Sequence, residues 1–355
     1  MSSKKQSPPR RDPARLKHNN KVAGEFIKYF SKISKKDVGI AGGKGASLGE
    51  MTRLFLPRRQ AGGGQAKSNP VPPGFVILAP AFDYFMVNTP KSPASETGLD
   101  IEAQISKVNY DDTNSIDQAS NVIRDIMQDT MIPGKLAKEI TAGFKKLKAK
   151  YVAVRSSATA EDSLVASWAG ELETYLNTEE KSLLTNVKKC WSSLFTPRAI
   201  FYRYEKKLVD QQVLVAVVVQ KMVQSEISGI CFTVHPITKD RNQMVIEAGY
   251  GLGEAIVSGQ ITPDTYIIDK RDFSLSDINV AEQKKMFVQN ARGGNVWKKV
   301  PKVDQEKQTL SGKEIIELAK LCVKIEKHYQ KPQDIEWALA KGKFYITQSR
   351  PITTL

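Results

Sequence analysis

The sequence feature that most restricts the fold is an unbroken apolar run, VLVAVVV, from Val213 to Val219. This run is far shorter than the roughly 18 apolar residues of a membrane-spanning helix, and it is typical of a buried strand. Further strand-like runs follow Tyr151, whereas helical patterns fall among them at 180–195, 197–207 and 312–330. Such irregular alternation of helices and strands predicts an α+β fold with a cleft between two lobes.

Shifts in composition divide the chain into a predicted basic tail (1–35), an N-terminal lobe (36–210) and a C-terminal lobe (211–355). Residues 1 to 36 contain eleven Lys and Arg against Asp12 and Glu25, so about nine of the fifteen surplus positive charges lie there. A Pro-rich, basic beginning is typical of a disordered, solubilising segment. A nucleic-acid partner is the alternative that the net charge raises, but the concentration of that charge in the tail argues against it.

The remaining composition predicts a cytoplasmic protein without a membrane anchor. The basic beginning lacks the apolar core of a signal peptide. Cys190, Cys231 and Cys322 lie far apart without CxxC spacing, which predicts ordinary buried thiols in a reducing compartment. The three histidines are too scattered in the sequence to predict a metal site.

A glycine-rich segment, Gly42-Gly43-Lys44-Gly45, stands just before a helical pattern. Its backbone N–H groups are not obstructed by side chains, and Lys44 adds a positive charge, so the segment suits a bound phosphate. The spacing does not match the Walker pattern GxxxxGK[ST]. A purely structural turn explains this segment equally well when it is considered alone.

Arg155 follows directly after the strand-like run Tyr151-Val152-Ala153-Val154. A guanidinium fixed at the end of a strand can bind phosphate oxygens through two parallel hydrogen bonds. The small residues that follow Arg155 allow a ligand to approach closely, and Gly170 and Thr174 add a turn and a hydroxyl. The alternative is a structural ion pair between Arg155 and Glu161 or Asp162.

Two strand-like segments near the end of the sequence flank Lys341-Gly342-Lys343. If these three residues form a hairpin turn, counting outward brings Glu336 opposite Gln348 and Asp334 opposite Arg350. Alternation then places these four side chains on one face of the hairpin. The other face is predicted to pack through Ile335, Trp337, Leu339, Tyr345 and Thr347.

This hairpin predicts a site for magnesium and nucleotide. Cross-strand neighbours lie about 5 Å apart, so Glu336 and Gln348 can share one hard cation. Arg350 would stand close enough to contact a phosphate bound to that metal. The alternative is that this face of the hairpin is merely solvated. The opposite face already supplies enough apolar residues for packing, and this favours the metal site over that alternative.

Two further segments carry weaker signals. The end of the apolar run, with Gln220, Met222 and Val223, could present backbone groups to a flat base. Gly249-Tyr250-Gly251-Leu252-Gly253-Glu254 is a lone glycine pattern that ends in a carboxylate, and it indicates little by itself.

Taken together, the ordered motifs resemble one known family, the ATP-binding domain of phosphoenolpyruvate synthase (pyruvate, water dikinase) and pyruvate phosphate dikinase. Rifampicin phosphotransferases share this domain. The resemblance covers roughly residues 36 to 355, and the branch that it favours is the synthase. Its motifs are AGGKGASLGEM, VPPGFVI, VAVRSSATAED with SWAGELETYLN, VVVQKMV, YGLGEAIVSGQITPDTYIID and DIEWALAKGKFYITQSRPI.

The resemblance implies an ATP-grasp fold that holds ATP between its lobes and transfers a phosphoryl group with the help of Mg²⁺. Lys44, Arg155 and Arg350 are then expected to act on the phosphates as the catalytic residues. Glu336 and Gln348 are expected to bind magnesium. The other expected nucleotide-binding residues are Gly170 and Thr174 on a loop over the phosphates, Gln220, Met222 and Val223 around the adenine, Glu254 in the cleft, and Asp334 beside the metal.

The resemblance also implies partners, because the full enzymes continue into a phosphohistidine domain and a pyruvate-binding barrel. The printed sequence ends at QSRPITTL, so we expect those domains on another chain. The expected function is that of the phosphoryl-donating component of a phosphoenolpyruvate synthase, incomplete by itself. The alternatives are a pyruvate phosphate dikinase-like or antibiotic phosphotransferase domain and, from another class, a nucleotide-binding regulatory protein without turnover.

Overall fold

The computed structural model describes residues 25–56, 69–88, 97–159, 162–163, 166–167, 173–208, 213–291 and 293–353. Within these ranges no helix is long and apolar enough to cross a membrane. The α-helices there are α1 (Val38–Leu54), α2 (Ala79–Val87), α3 (Thr97–Ile105), α4 (Thr113–Asp129), α5 (Gly134–Lys146), α6 (Glu180–Ser192), α7 (Pro197–Glu205), α8 (Glu254–Val257) and α9 (Gly312–Tyr329). Short 3-10 helices occur at Phe30–Lys32, Lys35–Asp37, Ser193–Phe195 and Lys302–Asp304.

The strands of the described residues pair in antiparallel fashion, and together with the helices they give the predicted α+β class. The strands are β1 (Ile27–Tyr29), β2 (Gly74–Ile77), β3 (Val152–Ala158), β4 (Asp162–Ser163), β5 (Ala166–Ser167), β6 (Thr174–Thr178), β7 (Val215–Lys221), β8 (Ile227–Phe232), β9 (Gln243–Tyr250), β10 (Asp264–Asp269), β11 (Leu275–Asn279), β12 (Lys285–Gln289), β13 (Asn295–Lys299), β14 (Gln333–Ala340) and β15 (Lys343–Pro351).

The first sheet has the strand order β1-β2-β7-β3-β6. Its central strand, β7, contains most of the long apolar run and is buried from Val215 to Gln220, as the sequence predicts. Alternate residues serve two cores: Val217 and Val219 pack with α4 and α6, whereas Val218 packs on the other side with α1. A strand buried on both faces therefore has to be apolar at successive positions.

Two of the predicted segment limits differ from the structure. The tail prediction is wrong for residues 25–35, because Ile27–Tyr29 forms an edge strand and Phe26, Phe30 and Ile33 are buried. These apolar residues stabilise an ordered segment in spite of the basic residues among them; residues 1–24 lie outside the described ranges. The chain also leaves the first sheet only after Lys221, beyond the expected boundary near residue 210.

The second sheet has the order β11-β10-β9-β8-β14-β15. One face packs against α9, where Ile246, Trp337 and Ile346 share a core with Leu318 and Cys322. Cys190, Cys231 and Cys322 are free and buried, which confirms the prediction of buried thiols.

The other face of the second sheet carries polar side chains. Glu336 lies opposite Ile230, and Ile230 lies opposite Glu247. Directly paired residues of antiparallel strands share a face, so the carboxylates of Glu336 and Glu247 are on the side away from α9.

The terminal hairpin has the predicted pairs at the candidate site, but its turn and the register next to the turn differ from the prediction. Its turn contains two residues, Lys341 and Gly342, and the strands pair without interruption until a bulge occurs between Glu336 and Trp337. The bulge inserts one residue, Thr347, into β15 and restores the predicted pairs Glu336–Gln348 and Asp334–Arg350.

The predicted packing face of β15 is wrong between the turn and the bulge. Ile335, Trp337 and Leu339 are buried as expected, but on β15 the packed residues are Phe344 and Ile346 instead of Tyr345 and Thr347. The shorter turn shifts the alternation of β15 by one residue up to the bulge.

Candidate functional site

The glycine-rich segment lies inside α1, at a break in the helix. Gly42 has a φ of +67°, whereas the segment just before it, from Val38, is already helical. A Cβ atom on Gly42 would lie 2.2 Å from Ser157 Oγ and 2.3 Å from the Ser157 carbonyl oxygen. The close approach of α1 to β3 and the positive φ both require glycine here.

Two hydrogen bonds hold this break against the first sheet. Ser157 Oγ donates to the Ala41 carbonyl oxygen at 3.0 Å and accepts from the Gly45 N–H at 3.3 Å. Lys44 lies near the start of the helical turns that follow Gly42, and it is half-buried. The N–H groups at such a start have few partners within the helix, and they favour anions.

Arg155 connects the two sheets. It lies on β3, opposite Thr174 and Val218 in the first sheet, and its side chain extends to the terminal hairpin. Nη2 donates to Glu336 Oε2 at 2.9 Å and to Gln348 Oε1 at 2.8 Å, and Nη1 donates to the Thr347 carbonyl oxygen at 3.1 Å. Arg155 therefore does form an ion pair, but with Glu336.

The alternative partners that the sequence offers for Arg155 are Glu161 and Asp162. Glu161 and the side chain of Asp162 lie outside the described residues. Gly170, expected on the loop over the phosphates, also lies outside them. Thr174 is described, and its exposed side chain is next to Arg155 on the same face of the first sheet.

The hairpin brings the four predicted polar residues together on one face. Gln348 Nε2 donates to Glu336 Oε1 at 3.0 Å, and Arg350 Nε donates to Asp334 Oδ2 at 2.9 Å. Desolvation raises the pKa of Asp334, and neighbouring Glu336 also raises it, although Arg350 opposes the shift. Burial outweighs the ion pair because the Arg350 side chain is 47% exposed and partly hydrated.

The residues present fit a magnesium ion that takes part of its coordination from a nucleotide. Among the described residues, no three His, Cys, Asp or Glu side chains are grouped as a complete metal site. Magnesium in nucleotide sites is commonly held by one or two carboxylates together with phosphates and water. Glu336 Oε2 and Gln348 Oε1 already converge on one cationic nitrogen, that of Arg155, so this oxygen pair is suited to a cation.

A second connection between the two parts of the site was missed in the sequence. Ser47, three residues after Lys44 on α1, donates a hydrogen bond of 2.6 Å to the Ser349 carbonyl oxygen, between Gln348 and Arg350. Tyr329 at the end of α9 donates to the Ser47 carbonyl oxygen at 3.3 Å. The i,i+3 spacing of Lys44 and Ser47 places them on one side of the helix, which is the only sequence signal for this contact.

The expected adenine-contacting residues lie where the chain leaves the first sheet. Gln220 is buried, and its Nε2 donates to the Pro72 carbonyl oxygen at 3.4 Å. The Met222 N–H donates to the Tyr151 carbonyl oxygen at 3.0 Å, while Val223 follows in the segment that leads to β8. Glu254 is exposed and begins α8, after the loop in which Gly251 has a φ of +88°.

Comparison with known proteins identifies the family. The family described as "Pyruvate phosphate dikinase, AMP/ATP-binding domain" matches residues 38–355. The chain belongs to this family, as the motifs predict, and it corresponds to the ATP-binding domain.

Its relatives include enzymes with two different names. The chain is 45% identical over 340 residues to "Probable phosphoenolpyruvate synthase" of Methanocaldococcus jannaschii, a match that covers 93% of this chain and 27% of the relative. It is 40% identical over 378 residues to "Phosphoenolpyruvate synthase" of Pyrococcus furiosus, covering 94% of this chain and 44% of the relative. "Rifampicin phosphotransferase" of Bacillus subtilis is 36% identical over 326 residues, covering 91% and 35%. The chain therefore spans less than half the length of each of these relatives.

Proposed function

We propose that this chain is the ATP-binding, phosphoryl-donating component of a phosphoenolpyruvate synthase, a cytoplasmic enzyme that converts ATP, pyruvate and water into AMP, phosphoenolpyruvate and phosphate. The names of the relatives with 40% and 45% identity support the synthase. The structural observation that carries the proposal is the contact of Arg155 Nη2 with both Glu336 and Gln348. It brings a cation of one sheet, suited to phosphate, beside oxygens of the other sheet that are suited to a metal.

The two sheets correspond, in this proposal, to the lobes of an ATP-grasp fold with ATP between them. The cationic residues Lys44 and Arg155 come from the first sheet and its helix α1, whereas the acidic and amide groups come from the second sheet. Opposite charges on the two sides suit a magnesium–nucleotide complex, whose phosphates attract the cations and whose metal attracts the oxygens.

Individual residues receive the following proposed roles. Lys44, Arg155 and Arg350 neutralise and orient the phosphates. Glu336 and Gln348 hold magnesium, which when bound neutralises charge on the phosphates, and Asp334 holds Arg350 in place. Gln220, Met222 and Val223 surround the adenine, Glu254 lies at the edge of the cleft, and Gly170 and Thr174 belong to the segment over the phosphates.

The chemistry in this proposal depends on position and charge. Phosphoryl transfer needs little covalent work from the protein but requires an oriented chain of phosphates with its charge neutralised. The guanidinium of Arg155, which extends from β3, and the helix start at Lys44 provide donors for that purpose. The β-phosphoryl group of ATP passes to a histidine of a carrier domain and then to pyruvate in a separate binding domain, both outside these 355 residues. AMP is the leaving group, and water takes up the γ-phosphoryl group to give phosphate.

Formation of AMP tests this function. The protein is incubated with Mg²⁺-ATP, pyruvate, and separately prepared carrier and pyruvate-binding domains of a relative, and AMP and phosphoenolpyruvate are quantified. We expect both products with the intact carrier and neither with a carrier whose histidine is replaced by alanine. Absence of AMP with the intact, folded carrier would contradict the proposal.

A second acceptor is tested in the same assay because one relative is named rifampicin phosphotransferase. The carrier and acceptor domains of that enzyme replace the synthase domains, and rifampicin replaces pyruvate. Faster AMP formation with the synthase domains supports the synthase assignment. Faster formation with the antibiotic domains would transfer the proposal to an antibiotic phosphotransferase.

A further inference from the structure

The oxygen pair of Glu336 and Gln348 is already engaged by a cation, the guanidinium of Arg155. One nitrogen, Nη2, donates to Glu336 Oε2 at 2.9 Å and to Gln348 Oε1 at 2.8 Å. Arg155 is only 9% exposed and Gln348 only 6% exposed. The contact with Gln348 is therefore buried, whereas the Glu336 side chain is 23% exposed. Bulk water weakens this charge-assisted arrangement less than it weakens fully exposed surface pairs.

The oxygen pair presents both of these atoms on the side that faces Arg155. The other Glu336 oxygen, Oε1, accepts a hydrogen bond from Gln348 Nε2 at 3.0 Å, which fixes the carboxylate and the amide relative to each other. A metal ion held by both Glu336 Oε2 and Gln348 Oε1, with bonds of about 2.1 Å, would therefore need the region that Arg155 Nη2 occupies. Two cations repel strongly at such short separation, so they cannot use the pair together.

Arg155 also has a donor without a partner in this position. Its Nε is buried and has no hydrogen-bond partner among the described residues. A buried N–H group without a partner is costly, so the present contacts satisfy the guanidinium only in part. Phosphate oxygens near β3 would offer acceptors to the whole guanidinium, since its donors are arranged as a rigid fork.

We infer that Arg155 and the divalent metal use the oxygens of Glu336 and Gln348 in turn, so that Arg155 leaves this pair for the phosphates when metal and nucleotide bind. The inference rests on the proposed function, which assigns Glu336 and Gln348 to the metal. It adds that the metal binds weakly without nucleotide, because it competes with Arg155. Nucleotide removes that competitor, and each ligand therefore strengthens the binding of the other by the same factor.

Binding of Mn²⁺, which resembles Mg²⁺ in its preference for oxygen ligands, tests this exchange without any measurement of activity. The full chain is titrated with Mn²⁺ and the free ion is followed by electron paramagnetic resonance, first alone and then with a non-hydrolysable ATP analogue. We expect weak binding alone and much tighter binding with the analogue. For Arg155→Met without nucleotide, we expect Mn²⁺ affinity to rise roughly tenfold or more, because the competing cation is gone.

Matched variants separate competition from a general effect of charge. Arg350→Met removes a neighbouring positive charge that is bound to Asp334, and we expect a gain of about threefold or less. Arg155→Lys keeps the charge but offers a single donor group, so its Mn²⁺ affinity should lie between those of the wild type and Arg155→Met. Adding Glu336→Ala to Arg155→Met should abolish the gain.

The result that overturns the inference is an Mn²⁺ affinity without nucleotide that is unchanged or lower in Arg155→Met. If that variant fails to fold, judged by circular dichroism, an Arg155→Lys affinity equal to the wild-type value has the same consequence. Failure of the proposed function looks different: Glu336→Ala and Gln348→Ala would then bind Mn²⁺ with the ATP analogue as tightly as the wild type does.

Discussion

The two sides of the candidate site are positioned by different physical means. On the first sheet, Lys44 is placed by close packing, because α1 contacts β3 so tightly at Gly42 that a Cβ would meet the Ser157 backbone. On the second sheet, Glu336 and Gln348 are placed by strand pairing, and a bulge adjusts the register. Packing of this kind tolerates no added atom, whereas a paired hairpin can absorb one extra residue.

The largest expected effect comes from adding one methyl group to the tightly packed side. Gly42→Ala forces alanine into a φ of +67° and places its Cβ 2.3 Å from a backbone oxygen. We expect a loss of about 3 kcal/mol or more in the free energy of unfolding, measured with urea.

Gly39→Ala is the matched control for this substitution. Gly39 belongs to the same helix, and its added Cβ would have nothing within 4 Å. The free energy of unfolding of the Gly39→Ala variant should be unchanged or higher by up to about 1 kcal/mol. Equal stabilities of the two variants would show that the close approach at Gly42 does not position α1.

An intermediate effect is expected where the two sides are tied together. Ser47→Ala removes the hydrogen bond to the Ser349 carbonyl oxygen, and loss of one such bond costs about 1 kcal/mol. Because the bond holds the Lys44 helix beside β15, we expect ATP affinity to fall about three- to tenfold by isothermal titration calorimetry.

Thr52→Ala provides the comparison, since Thr52 lies on the same helix and donates to the Leu48 carbonyl oxygen at 2.8 Å. Because this bond lies within one helix and does not join the two sides, its loss should leave ATP affinity unchanged. A role of Ser47 in stability alone predicts equal ATP affinities for the two variants.

The cross-strand pairs of the terminal hairpin could be predicted from the sequence more completely than its turn and its packing face. Alternation along two short strands was sufficient to pair Glu336 with Gln348 and Asp334 with Arg350, and the structure has both pairs. The turn length and the bulge were not predicted. Each shifts the register by one residue in opposite directions, so the two errors cancel beyond Trp337 and the pairs at the site are still correct. Counting residues from the turn thus predicted the correct pairs at the candidate site. It wrongly assigned Tyr345 and Thr347 to the packed face of β15.

Contacts between distant segments could not be predicted in the same way. The approach of Gly42 to Ser157 and the bond from Ser47 to Ser349 join residues more than a hundred positions apart. Local patterns contain no information on such distances. Strands β11 and β13 were also missed, because their largely exposed side chains lack the apolar alternation that marks a half-buried strand.

The smallest expected effect concerns the ionisation of Asp334. Its pKa is raised by desolvation, so its protonated form stabilises the folded state. This contribution is present below the ordinary pKa of 3.8 and is lost as pH rises through the raised value. We therefore expect the free energy of unfolding of the wild type to fall relative to that of Asp334→Asn as pH increases from 3.8.

Asp269 supplies a control of opposite sign on the same sheet. Hydrogen bonds from the side chain and backbone of Arg271 lower its pKa to about 2. Relative to Asp269→Asn, the wild type should gain stability as pH rises from about 2. The same pH trend for both pairs of proteins would mean that burial does not dominate at Asp334.

The central claim is that cations of the first sheet and oxygens of the second sheet together bind one magnesium–nucleotide complex. Its most direct test is the dissociation constant of ATP, measured by calorimetry with and without Mg²⁺, for the wild type, Glu336→Ala and the control Asp269→Ala. We predict that Mg²⁺ strengthens ATP binding to the wild type and the control, and that this gain disappears in Glu336→Ala. An undiminished gain in folded Glu336→Ala would contradict the account.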